Sequence, residues 1–125
     1  LGYLVAHDEW LGSSQVFTVL HVASAVPPRA ATAVDRATLQ AYYDDQSAKV
    51  LKPIRAFFAQ RPDLKVTFLS KVGEAAEQIV KTAQQKHQDL VMMGSHGHGA
   101  WANLVMGSVA TKVLASSKVP VLLVR

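Results

Sequence analysis

Residues 93–114 have the sequence MGSHGHGAWANLVMGSVATKVL, which is the most informative stretch of the chain. They begin at the end of the apolar run Leu90–Met93 and carry glycines at positions 94, 97, 99 and 107. Glycine lets backbone N–H groups approach an anion closely, and the N–H groups at a helix start attract negative charge. Ser108, expected as the N-cap of the last helix, adds a hydroxyl that can reach a phosphate oxygen. The segment therefore predicts a phosphate-binding loop after a strand.

Four short apolar runs on either side of this loop predict strands. They are rich in Val, Leu or Phe and do not alternate with polar residues, which is typical of strands covered on both faces: Val16–Val22, Lys65–Leu69, Leu90–Met93 and Val119–Val124. Helical patterns lie between them. This alternation predicts an α/β fold with an open parallel sheet and right-handed crossovers.

The first predicted helix between these strands begins at Leu39 and continues to Phe58, with Pro53 expected to kink or break it. The second runs from about Glu74 to about His87, with acidic residues in its first turns, and the third starts at Ser108. Between Val26 and Thr32, two prolines predict a loop.

Residues Leu1–Leu11 also predict a helix. Their apolar positions share one helical face and Gly12 follows where a helix would end. The alternative, a strand at Tyr3–Asp8, leaves too few residues before Val16 for a parallel crossover. A chain that begins inside a helix is expected to have its first strand upstream of Leu1, so we predict roughly 20 further residues there.

The composition fits one domain with a packed core and argues against several classes of function. The chain has 125 residues, of which 50% are hydrophobic and 18% charged, and it has no cysteine, which fits a cytoplasmic location. Its net charge of +4 comes from scattered basic residues, so no nucleic-acid-binding arm is predicted. No apolar run is long enough to cross a membrane.

Several catalytic and metal-binding motifs do not match. The glycines at 94–99 have the spacing of a P-loop, but Ala100 and Trp101 stand where lysine and serine or threonine belong. The order G-x-x-G-x-G also differs from the dinucleotide fingerprint. His96 and His98 lack a third metal ligand, so they are interpreted as loop residues or phosphate neighbours. No paired carboxylates accompany the loop, so we expect no dedicated catalytic centre for phosphoryl transfer.

Taken together, Gly94-x2-Gly97-x9-Gly107-Ser108 resembles the nucleotide-binding signature of the universal stress protein family. Three other segments resemble the same family: Leu20–Val22, Val72–Ile79 and Asp89–Gly97. The resemblance implies a Rossmann-like, adenine nucleotide alpha hydrolase-like fold with five parallel strands in the order 3-2-1-4-5. In that order the upstream strand would be central, and it would carry an aspartate that contacts the nucleotide.

The resemblance also implies a ligand and its binding residues. The ligand is ATP, or AMP or ADP, with Mg as a candidate companion ion. Val22 is expected to contact the adenine, and Met93 and Gly94 to lie by the adenine and ribose. The full set of predicted binding residues is Val22, Met93, Gly94, Ser95, His96, Gly97, His98, Gly107, Ser108 and Val109.

Three hypotheses of function follow. The first is an ATP-binding stress-response sensor or switch, and the second is a nucleotide-independent dimeric interaction protein with a vestigial loop. The third, an enzyme for a phosphorylated substrate, is weakened by the absence of positioned acids or a lysine. Both the apolar edge strand Val119–Val124 and the family resemblance predict a homodimer.

Overall fold

Strands and helices alternate along the chain in the computed structural model, which describes residues 1–7, 15–25, 27, 34–95 and 107–124. The described elements are α1 (Gly2–Ala6), β1 (Val16–Ala23), α2 (Arg36–Ala59), β2 (Lys65–Val72), α3 (Ala75–Gln85), β3 (Val91–Gly94), α4 (Ser108–Ser116) and β4 (Val121–Val124). The predicted order of strands and helices is confirmed. The chain divides into two compact units, Leu1–Val72 and Gly73–Arg125, which are described separately below.

All described strand pairs are parallel, as predicted. In the first unit β1 pairs with β2, beginning with Val16 opposite Lys65. In the second unit β3 pairs with β4, beginning with Val91 opposite Val121. The expected order 3-2-1-4-5 counts a first strand upstream of Leu1, so β1 to β4 correspond to its second to fifth strands. That order places the second strand beside the third and the fourth beside the fifth, which are the two pairs found here.

The core of the first unit lies on one face of the β1–β2 pair. Side chains alternate between the two faces of a strand, so Phe17 and Val19 share this face with Phe68 of β2. Leu4 of α1 and Phe58 of α2 are buried against them, and the rings of Phe58 and Phe68 meet edge to face at 5.9 Å. Helices α1 and α2 therefore cover the face of the sheet that carries Phe17 and Val19.

Helix α2 begins earlier than predicted and continues past its proline. It starts at Arg36 because the carboxylate of Asp35 caps it, accepting the backbone N–H of Thr38 at 2.6 Å. Of the kink or break predicted at Pro53, the break is wrong, since the helix runs without interruption to Ala59. Proline removes only one backbone donor, and the apolar face on both sides of it remains packed against the sheet.

The second unit is built around the contact of α3 with α4. The carboxylate of Glu74 caps α3 by accepting the N–H of Glu77 at 2.8 Å, so the helix proper begins at Ala75. Lys112 of α4 reaches back to Glu74 with an N···O distance of 3.6 Å. Val113 of α4 is fully buried, with 0% of its surface exposed.

Two further predictions concern the chain start and the strand surfaces. Helix α1 confirms the first part of the predicted helix Leu1–Leu11, and residues 8–14 lie outside the described part. The expected full coverage of the strands is not reached, because every described strand side chain is half-buried or exposed. Over the described ranges, no helix is both long and apolar enough to span a membrane.

Candidate functional site

The two ends of the predicted phosphate loop lie side by side in the second unit. The backbone N–H of Gly107 donates to the carbonyl oxygen of Ser95 at 2.8 Å. The N–H of Ser95 in turn donates to the carbonyl oxygen of Val124 at 2.9 Å, which holds Ser95 at the carboxyl end of the β3–β4 pair. Gly94 and Ser108, each adjacent to one of these bonded residues, are therefore brought to the same edge of the sheet, where open α/β sheets bind ligands.

The N-terminus of α4 differs from the prediction by one residue. Ser108 is the first helical residue and not the N-cap, which is Gly107 with φ −63° and ψ 154°. Gly107 makes no side-chain cap for this helix end, because a glycine has no side-chain oxygen to offer. The N–H groups of the first turn have no acceptor within the helix, so they can serve an external anion.

Those donors are the amides of Ser108, Val109 and Ala110, which open the nine-residue helix. The next amide, of Thr111, is already bonded to the carbonyl oxygen of Gly107 at 3.0 Å, and the Thr111 hydroxyl donates to the same oxygen. The Ser108 side chain is exposed and therefore accessible to a ligand. This end of α4 combines a positive helix-dipole end with a hydroxyl, which suits a phosphate group.

Ser95 has a structural position that its place in a glycine-rich loop did not indicate. It is buried, with 7% of its surface exposed, and both its N–H and its carbonyl oxygen bond to the backbone. The amides of Ser95 and Gly107 are thus engaged within the protein and position the loop ends. The donors that remain for a ligand near these two residues are the amides that follow Gly107 in α4.

The structure places only some of the other predicted ligand residues. Met93 lies in β3, half-buried and paired with Leu123, and Val22 lies near the end of β1 in the first unit. His96, Gly97 and His98, together with Trp101, lie outside the described residues.

His21 has a partner that its sequence context did not reveal. Its ring Nδ1 lies 3.2 Å from the hydroxyl oxygen of Ser47, which is buried in the middle of α2. Ser47 is too enclosed to meet a substrate, so this contact joins β1 to α2. The contact gives His21 a structural position between the strand and the helix.

A separate groove of about 380 Å³ lies between α3 and α4. Ala76 and Val80 form its apolar wall, and Lys81 and Lys112 contribute charge at its rim. None of the described residues at the loop ends lines it, so it is distinct from the candidate anion site at the start of α4.

A family model described as the universal stress protein family matches residues 10–125. Among solved structures, hypothetical protein MJ0577 superposes with a TM-score of 0.70 at 27% identity, covering 88% of this chain and 75% of that one. The fold is therefore the Rossmann-like α/β fold of that protein.

Curated relatives agree with the family match but are matched only in part. Universal stress protein MJ0577 of Methanocaldococcus jannaschii is 39% identical over 49% of this chain and 38% of its own length. Universal stress protein Slr1230 of Synechocystis is 43% identical over 43% of this chain and 19% of its own length. Stress response protein NhaX of Bacillus subtilis is 31% identical over 66% of this chain and 49% of its own length. The matched region thus spans about half or less of each of these relatives. The chain belongs to the universal stress protein family.

Proposed function

We propose that this chain binds ATP, or another adenine nucleotide such as AMP or ADP, and acts as a sensor or switch in a stress response. One observation carries the proposal. The hydrogen bond from Gly107 to Ser95 brings the uncapped N-terminus of α4 to the carboxyl end of β3. Backbone donors at a helix start are a common phosphate-binding arrangement, and they lie here at the ligand-binding edge of the sheet.

The chemistry of the described loop ends suits a phosphate. Ser108 and Val109 supply first-turn amides, and Ser108 adds an exposed hydroxyl. None of residues 94–95 and 107–109 carries a carboxylate that would repel the ligand. Mg, which accompanies ATP, would be held mainly by the phosphates, since these five residues offer it no carboxylate. These five described residues also include no general base that could activate water, so we propose that any hydrolysis is slow.

The base end of the nucleotide is proposed from the family resemblance. Val22 would contact the adenine, and Met93 and Gly94 would lie by the adenine and ribose. His96, Gly97 and His98 would neighbour the phosphates, with Val109 contributing its amide from α4.

Calorimetric titration with ATP tests the proposal. We expect saturable binding to the wild-type protein and none to Gly107→Val, in which a branched side chain stands beside the first-turn donors. A control titration with adenosine, which lacks phosphate, should show much weaker binding. A wild-type protein that ignores millimolar ATP would eliminate this function and leave the nucleotide-independent interaction protein.

We also propose that β4 forms a twofold homodimer. Val121–Val124 is entirely apolar, and only β3 pairs with it among the strands that the structure describes. An apolar edge of this kind favours pairing with a second chain. Analytical ultracentrifugation should show a dimer at micromolar concentration and a monomer for Leu122→Lys. A monomeric wild type would contradict the dimer without affecting the nucleotide proposal.

A further inference from the structure

Lys71 lies next to a predicted ligand residue, although the glycine signature does not include it. It is the second-last residue of β2, and its register partner on the parallel strand β1 is Val22. Neighbouring strands lie about 4.8 Å apart, and side chains opposite each other point to the same face. Lys71 and Val22 therefore share one face at the carboxyl end of this strand pair.

This face is opposite the one that carries the core of the unit. Phe17 and Val19 point toward α1 and α2, and His21 follows on the same face with its ring against Ser47. Val22, one residue further along, points the other way. Helices α1 and α2 therefore lie against the opposite face from Val22 and Lys71, and both residues stand at the carboxyl end of the strand pair, the edge where α/β sheets bind ligands.

Lys71 is also distinctive among the strand ends. In the described strands it is the one acidic or basic residue within two positions of a carboxyl end, since the others end in Val22–Ala23, Met93–Gly94 and Leu123–Val124. The side chain is exposed, and no ion pair links it to another described residue. Its ammonium group thus has three hydrogen-bond donors and no charged partner among the described residues.

We infer that Lys71 contacts the base of the bound nucleotide, donating from its ammonium group to a ring-nitrogen acceptor of the purine. This inference rests on the proposed function, in which Val22 contacts the adenine. The neighbouring strand places a long, flexible cation beside that base, and purine ring nitrogens such as N3 and N7 are acceptors. Lys71 is then a recognition residue for the base.

The same strand offers a matched control. Lys65 begins β2 on the same face as Lys71, but it pairs with Val16 at the amino end of the sheet. Both lysines are exposed, so replacing either by methionine removes one charge and keeps a stem of similar length. Circular dichroism and melting temperature should be unchanged in both variants.

Affinities for ATP and AMP decide the question. For Lys71→Met we expect the Kd of both nucleotides to rise about tenfold, because a charge-assisted hydrogen bond to their common base is lost. Lys65→Met should change neither Kd by more than about twofold. Lys71→Arg, which keeps a donor, should restore most of the affinity.

Three other outcomes would count against the inference. Equal affinities for Lys71→Met and Lys65→Met would overturn it while leaving the proposed function intact. A loss for ATP without a loss for AMP would place Lys71 on the terminal phosphates and also overturn it. A wild-type protein that binds neither nucleotide would refute the proposed function, and the inference with it.

Discussion

Replacing Gly107 by aspartate should stabilise the protein and abolish nucleotide binding in the same step. The backbone at Gly107, with φ −63° and ψ 154°, is an extended conformation that N-cap residues normally adopt. An aspartate there would direct its carboxylate at the first-turn amides of α4, which Gly107 has no side chain to cap. The same donors would then satisfy an internal anion and be lost to a phosphate.

The two effects have opposite signs and measurable sizes. An aspartate cap and its charge at the helix N-terminus should add about 0.5–1 kcal/mol to the free energy of unfolding. For a domain of this size that corresponds to a rise in melting temperature of roughly 2–5 °C. A carboxylate about 5 Å from a phosphate, at an effective dielectric constant of about 20, repels it by about 3 kcal/mol. The ATP affinity should therefore fall at least about a hundredfold.

Thermal melts without ligand and calorimetry with ATP measure the two effects on the same samples. Ser116→Asp is the matched control, because it places the same charge at the last residue of α4. There the helix dipole disfavours it, so the melting temperature should fall slightly while ATP binding stays unchanged. Wild-type ATP affinity in a stable Gly107→Asp protein would refute phosphate binding at these amides. A lower melting temperature would show that the N-terminus of α4 cannot accept a cap.

Three further predictions concern stability. Gly73→Ala should lower the free energy of unfolding by about 1–3 kcal/mol, because φ at Gly73 is +147° and the new Cβ would lie 3.1 Å from the side-chain nitrogen Nε2 of Gln78. Gly2→Ala, whose Cβ would meet nothing within 4 Å, is the control and should not destabilise in urea unfolding. Val113→Ala should cost about 2 kcal/mol, since it empties space at a fully buried position, and a melting temperature within 1 °C of wild type would contradict this. The carboxylate of Glu74 accepts the backbone N–H of Glu77, and this hydrogen bond holds the pKa of the carboxyl below its usual value. The stability that the contact adds is therefore present above about pH 4.5 and is lost as pH falls further. Melts between pH 3 and pH 7 should show a shallower acid decline for Glu74→Gln, and an identical decline would refute the assignment.

The strands were predictable because their apolar runs are a local property of the chain. The predicted strand Val16–Val22 is found as Val16–Ala23, and Lys65–Leu69 extends to Val72. Helix starts depended on signals of another kind. The beginning of α2 lacks apolar periodicity, and the available clue was Asp35, which caps the helix through the N–H of Thr38.

The sequence indicated the two segments of the candidate site, but it did not indicate how they are arranged in space. The glycine spacing pointed to both loop ends, but the serine after Gly107 suggested a cap that the backbone assigns to the glycine itself. The bond between Gly107 and Ser95 joins residues far apart in sequence, as does the pairing of Lys71 with Val22. Such contacts follow from strand register and loop closure, which no local pattern encodes.

The bond that joins Ser95 to Gly107 also has an evolutionary consequence. It joins the residues on either side of the eleven positions 96–106, and it uses main-chain atoms alone. Because this hydrogen bond does not depend on side-chain identity, substitutions between Ser95 and Gly107 leave its donor and acceptor chemically unchanged. Lengthening the intervening stretch costs little closure entropy, about 0.6 kcal/mol for each doubling. Sequence and length can therefore vary between positions 96 and 106 while the backbone bond between Ser95 and Gly107 is retained.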